Sequence, residues 1–128
     1  MRTNTQRRDA DRITRLHQIT LEEKYWLVIS YQGGICPVCR EALEVFGSTL
    51  DHCHDCPNKV NHRTRQLQDY GCRQCIRGVL HPKCNGTVLH YLEKYPHLQT
   101  EAIKEYLTRR PFAPRSLDGS YSGNYCWL

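Results

Sequence analysis

The chain has 128 residues, 39% of them hydrophobic, with eight cysteines and a formal charge of +5. That length predicts one small domain with at most one appendage. No run approaches the roughly 18 apolar residues of a membrane span, and the polar, basic start Met1-Arg2-Thr3-Asn4 has no apolar signal core. Both features argue against a membrane protein and a secreted disulfide scaffold. We expect a soluble protein whose cysteines bind metal as thiolates in a reducing cytosol. The excess of basic residues, with Arg63, Arg65, Arg73, Arg77 and Lys83 among the cysteines, favours a polyanionic partner, although bound thiolates lower the real net charge.

In chain order, residues 1–19 read as a basic N-terminal arm. Thr20-Leu21-Glu22-Glu23 is a capping box that opens a helix. Leu21, Tyr25, Val28 and Ile29 are the face expected to be buried. Gly33-Gly34 ends this helix, and Pro37 fixes the turn of a first knuckle at Cys36. Leu43 to Leu50 predicts a short strand and turn delivering Asp51-His52. A polar stretch over 57–71, within a Cys-bearing insertion at 56–75, reads as a loop.

Val88, Leu89 and Leu92 carry a helical stripe that Pro96 stops. A further helix, about Thr100 to Arg109, presents Ala102, Ile103, Tyr106 and Leu107, with basic residues at the end that suits them and Pro111 beyond. The domain is thus expected over 20–112. Residues 113–128 read as a flexible tail ending Tyr125-Cys126-Trp127-Leu128.

Cys36-x2-Cys39 and His81-x2-Cys84 have the gaps that let neighbouring side chains grip one tetrahedral zinc. Cys53-x2-Cys56 and Cys72-x2-Cys75, separated by fifteen residues, form a nested second set with zinc spacing of its own. Alternatively, Cys56, Cys72 and Cys75 recruit His54 or His62. A purely structural staple has no use for Asp51-His52-Cys53-His54 or for an asparagine, Asn85, abutting the last ligand. The frame therefore reads as support for a hydrolytic metal site.

At Ile19-Thr20-Leu21-Glu22-Glu23, Gln32-Gly33-Gly34-Ile35-Cys36-Pro37-Val38-Cys39, Leu50-Asp51-His52-Cys53-His54, Arg77-Gly78-Val79-Leu80 and Cys84-Asn85, the chain resembles the recombination endonuclease VII family. These are phage-type members of the His-Me finger, or HNH, nucleases. The resemblance spans roughly residues 13 to 112. Where the family usually has cysteine as third zinc ligand, this chain has His81.

The resemblance implies an α+β fold with a small ββα-metal core stapled by structural zinc and flanked by helices. It also implies that Asp51 and Asn85 ligate one catalytic divalent ion, that His52 is the general base, and that His54 contacts the scissile phosphate. Carboxylate and amide oxygens suit Mg²⁺ or Mn²⁺, whereas thiolates retain Zn²⁺. Arg63, Arg65 and Arg77 read as phosphate contacts, since a substrate known by its branched shape requires backbone clamps more than base readers.

The expected activity is metal-dependent hydrolysis of phosphodiesters in branched or Holliday-junction DNA during phage recombination or packaging. The setting implied is the bacterial host's cytoplasm, with packaging or recombination proteins as further partners. Paired cuts at a junction suggest a homodimer. A nickase of ordinary duplex and a non-catalytic zinc-knuckle adaptor for DNA or protein are the competing readings.

Overall fold

A computed structural model describes residues 19–52 and 75–113. The expected capping box is formed: Thr20 Oγ1 accepts from the Glu23 amide at 3.1 Å, and Glu23 Oε1 accepts from the Thr20 amide at 2.9 Å. Helix α1 spans Leu21–Tyr25 and continues as wider π-helical turns over Trp26–Tyr31. In these turns the Gln32 amide reaches back to the Leu27 carbonyl at 2.9 Å. Gly33 and Gly34 then take φ of 67° and 75°, a left-handed stop that glycine adopts without strain.

The buried face of α1 and its extension differs from the expected one. Leu21, Lys24, Leu27 and Val28 are buried, while Tyr25 and Ile29 are 43% and 58% exposed. The reason is Lys24, which a polarity pattern assigns to solvent. Its stem lies in the core and its ammonium donates to the Ser48 carbonyl at 2.9 Å, so the apolar arc is centred one residue away from the expected stripe.

Strand β1, Thr49–His52, is shorter and later than the stretch predicted, and it contains Asp51 and His52 rather than preceding them. Leu43 and Val45 are buried ahead of it, and Gly47 turns the chain at φ 83°. Strand β2, Ile76–Leu80, is buried along its whole length. The two pair antiparallel, Thr49 opposite Leu80, Leu50 opposite Val79 and Asp51 opposite Gly78; the register then slips so that His52 faces Ile76. Arg77 is the extra residue of that bulge.

Gln32 fixes the end of the first helix to β2. Its Oε1 accepts from the Val79 amide at 2.6 Å, and its Nε2 donates to the Val79 carbonyl at 2.9 Å.

After β2, a π-helical segment, Cys84–Leu89, runs into helix α2, His90–Lys94, followed by a 3₁₀ turn over Pro96–Leu98. Of the predicted stripe, Leu89 is buried, Leu92 is partly buried and Val88 is largely exposed. Helix α3, Glu101–Leu107, starts at Thr100, whose hydroxyl accepts from the Ile103 amide at 3.2 Å. Ile103 and Tyr106 from α3 join Leu27, Val28, Leu50, Val79, Leu80 and Leu89 in one core.

The fold is α+β, built on a two-stranded sheet. Ile19 and Ala113, at the inner ends of the expected arm and tail, are both buried. No described helix is long and apolar enough to cross a membrane.

Candidate metal centre and buried carboxylate

The first knuckle is built by short-range backbone bonds. Ile35 bridges Ala42, the Cys36 amide donates to the Glu41 carbonyl at 2.8 Å, and the Arg40 amide donates to the Cys36 carbonyl at 2.9 Å. Arg40 closes the turn at φ 68°. His81 lies just past β2, and Cys84 begins the following helical segment. The fold thereby brings the ligand atoms of Cys36, Cys39, His81 and Cys84 within 4.8 Å of one another.

His81 Nε2 lies 3.0 Å from the Ala42 carbonyl. A carbonyl can only accept, so Nε2 is the donor there, and in the neutral ring this leaves a lone pair on Nδ1, which lies 3.3 Å from Cys39 Sγ. A ligating histidine is commonly oriented in this way by a backbone oxygen.

Thiol chemistry agrees with an ion-holding role. Burial works to raise the Cys36 thiol, but hydrogen bonds to the backbone at Cys39, His81 and Val38 outweigh it and bring it down to about 7. Cys84 is pushed up to about 12 by burial and by the neighbouring Cys36 and Cys39 sulfurs. Crowded sulfurs of this kind require a cation between them to ionise together. Three sulfurs and one nitrogen fit tetrahedral Zn²⁺. Among the described residues this is the one group of three or more such side chains close enough to share an ion. Cys75, from the nested set, is fully buried; Cys53, Cys56 and Cys72 lie outside the described residues.

The second constellation surrounds Asp51, which is buried in β1. Arg77 grips it through both carboxylate oxygens, Nε to Oδ2 at 2.8 Å and Nη2 to Oδ1 at 3.1 Å. Tyr106 Oη donates to Oδ2 at 2.7 Å. Arg77 Nη2 also donates to Glu93 Oε1 at 2.7 Å. Arg77, expected as a phosphate contact, thus has a side chain only 6% exposed and ion-paired with two carboxylates.

Burial disfavours the Arg77 charge, but the adjacent Asp51 and Glu93 more than offset it and raise its pKa. Burial, with the Asp51 charge adding to it, holds the Tyr106 hydroxyl well above its ordinary range, so it stays a donor.

His52 is half-buried at the end of β1. Asn85 is half-buried next to Cys84, its backbone N–H donating to the His81 carbonyl at 3.0 Å. Cys84, a member of the candidate metal group, directly precedes Asn85, and the Arg77–Glu93 pair ties the Asp51 strand to α2, which continues the segment from Cys84. Three expected residues, His54, Arg63 and Arg65, lie outside the described residues. Tyr106, Glu93 and Gln32 were not expected at the site. Tyr106 looked like one more apolar position of its helix, no local motif marks Glu93, and Gln32 opens a quoted motif without any role being assigned to it.

The family model for recombination endonuclease VII matches residues 10–109. No curated protein matches the chain, and no solved structure does.

Proposed function

The chain belongs to the recombination endonuclease VII family, and from that membership we propose that it is a metal-dependent DNA endonuclease cutting branched or Holliday-junction DNA. The family match over residues 10–109 carries this reading. The strand, strand and helix order through β1, β2 and the segment from Cys84 supports a His-Me finger core.

In this reading Asp51 and Asn85 hold Mg²⁺ or Mn²⁺. Their fit is chemical: both offer hard oxygens, and Asp51 is held in a fixed orientation by Arg77 and Tyr106. A divalent ion there supplies stabilisation of the charge that develops on the phosphate and the leaving oxygen. The imidazole of His52 takes the proton of the attacking water, an effect worth about 10²- to 10⁴-fold in rate. His54 contacts the phosphate, and Arg63 and Arg65 clamp the backbone.

Zinc on Cys36, Cys39, His81 and Cys84 is structural and fixes the start of the segment bearing Asn85. Cys53, Cys56, Cys72 and Cys75 form a second zinc site. Two copies would place two cuts at a junction in the host cytoplasm.

Cleavage of four-way junction, flap and linear DNA, with Mg²⁺ or Mn²⁺ present and absent, tests the activity. The expected result is metal-dependent cutting, strongest on branched DNA. His52→Ala should lose it about 10²-fold or more while keeping zinc and fold. A wild-type chain that cuts none of these substrates, or a His52→Ala chain that cuts like wild type, would overturn the reading. Equal nicking of linear duplex would favour the nickase.

A further inference from the structure

The helical segment from Cys84 to Tyr95 turns an aromatic and basic face outward that neither the core nor the metal frame uses. Leu89 is buried, whereas Val88, Tyr91 and Tyr95 are 38%, 55% and 36% exposed. These three line one open cleft of about 600 Å³ together with Thr87, His90 and Lys94. The Tyr91 and Tyr95 rings lie 4.8 Å apart at 51°, and the Lys94 ammonium stands 5.7 Å from the centre of the Tyr95 ring. Single apolar side chains on a surface are ordinary, but paired rings in one cleft with a cation beside them form a patch that fits an occupant.

Charge selects that occupant. From His81 to Thr100 the one acidic residue is Glu93, and its carboxylate bonds Arg77 at 2.7 Å. Lys83 and Lys94 are exposed, so the face is complementary to an anion. An apolar protein helix would have to cover the Lys94 ammonium. Intact duplex keeps the flat faces of its bases stacked on one another, out of reach of a tyrosine ring. A strand with unpaired bases meets both demands, because bases stack on the rings while a phosphate meets the ammonium.

We propose that this cleft binds unpaired deoxynucleotides, with Tyr91 and Tyr95 stacking bases and Lys94 contacting a phosphate. The proposal rests on the reading of DNA as the partner. It gives the protein a means of telling flaps and other branches that expose unpaired bases from linear duplex.

Fluorescence anisotropy of the full zinc-loaded chain, without Mg²⁺ or Mn²⁺, measures binding to a short oligodeoxythymidine and to an abasic strand of equal length. Wild type should prefer the base-bearing strand by about 5-fold or more, the scale of one stacked base. The Tyr91→Leu/Tyr95→Leu double variant should erase that preference, and the Tyr91→Phe/Tyr95→Phe double variant, which keeps both rings, should retain it. Lys94→Gln should weaken binding to both strands alike and flatten the logarithmic salt dependence by about 0.7. Zinc content and unfolding temperature check the fold of each variant.

A wild type that binds both strands alike, or a Tyr91→Leu/Tyr95→Leu variant that keeps the preference, overturns the proposal. Equal binding joined to self-association that this variant removes would give the face to a second copy of the chain instead. Cleavage of branched DNA by the same preparations, with Mg²⁺ restored, separates the two readings. Wild type that cuts without a preference for bases refutes the stacking cleft alone, and wild type that prefers bases but cuts nothing refutes the nuclease alone.

Discussion

At the scale of single residues, Gly78 shows how closely the surroundings of Asp51 are packed. It sits opposite Asp51 in the sheet, and a Cβ there would come within 2.6 Å of Gln32 Oε1 and 3.0 Å of Tyr106 Cε1. Gly78→Ala must therefore displace both the Gln32 amide and the tyrosine that bonds Asp51. We expect a loss of about 1–3 kcal/mol in urea unfolding, together with reduced cleavage. Arg77-Gly78 is visible in the sequence as part of a motif, but its reason is not. The glycine answers to Gln32 and Tyr106, each reached from another element. Arg77 is equally opaque, because a charged residue among basic neighbours reads as surface until Asp51, 26 positions away, is brought against it. Local spacing carries no signal for contacts of that range.

At the scale of elements, the helix starts were the most legible parts of the chain, since a cap is a three-residue chemical rule. Thr20 and Thr100 both accept from the amide three residues on. Thr20→Ala should cost about 1 kcal/mol, read as a lower denaturant midpoint at unchanged slope. The orientation of that helix was less legible. Tyr25 meets Phe46 edge-on at 5.9 Å near the surface, while Lys24 goes inside, a choice set by a carbonyl at Ser48 that no helical periodicity contains. β1 was displaced for a similar reason: Leu43 and Val45 are apolar because they fill the core ahead of the strand, not because they extend it.

At the scale of the whole molecule, the metal frame was readable from spacing alone, because two-residue gaps are set by the reach of neighbouring side chains to one ion. Its consequence is large for so small a core. Cys36 and Cys39 come from the knuckle that follows the first helix, while His81 and Cys84 come from beyond β2. One ion would therefore join both halves of the described fold, with a contribution on the order of 10 kcal/mol in small modules. A strong zinc chelator at neutral pH should abolish the cooperative melting transition, followed by circular dichroism, and stoichiometric Zn²⁺ should restore it. A different limit follows from the Gln32 amide. By occupying the N–H and C=O of Val79, it takes the two groups that a third strand would need in order to add alongside β2 at that point. At this position β2 is therefore closed to strand addition by a side chain of its own chain, so that edge is protected from pairing with another copy.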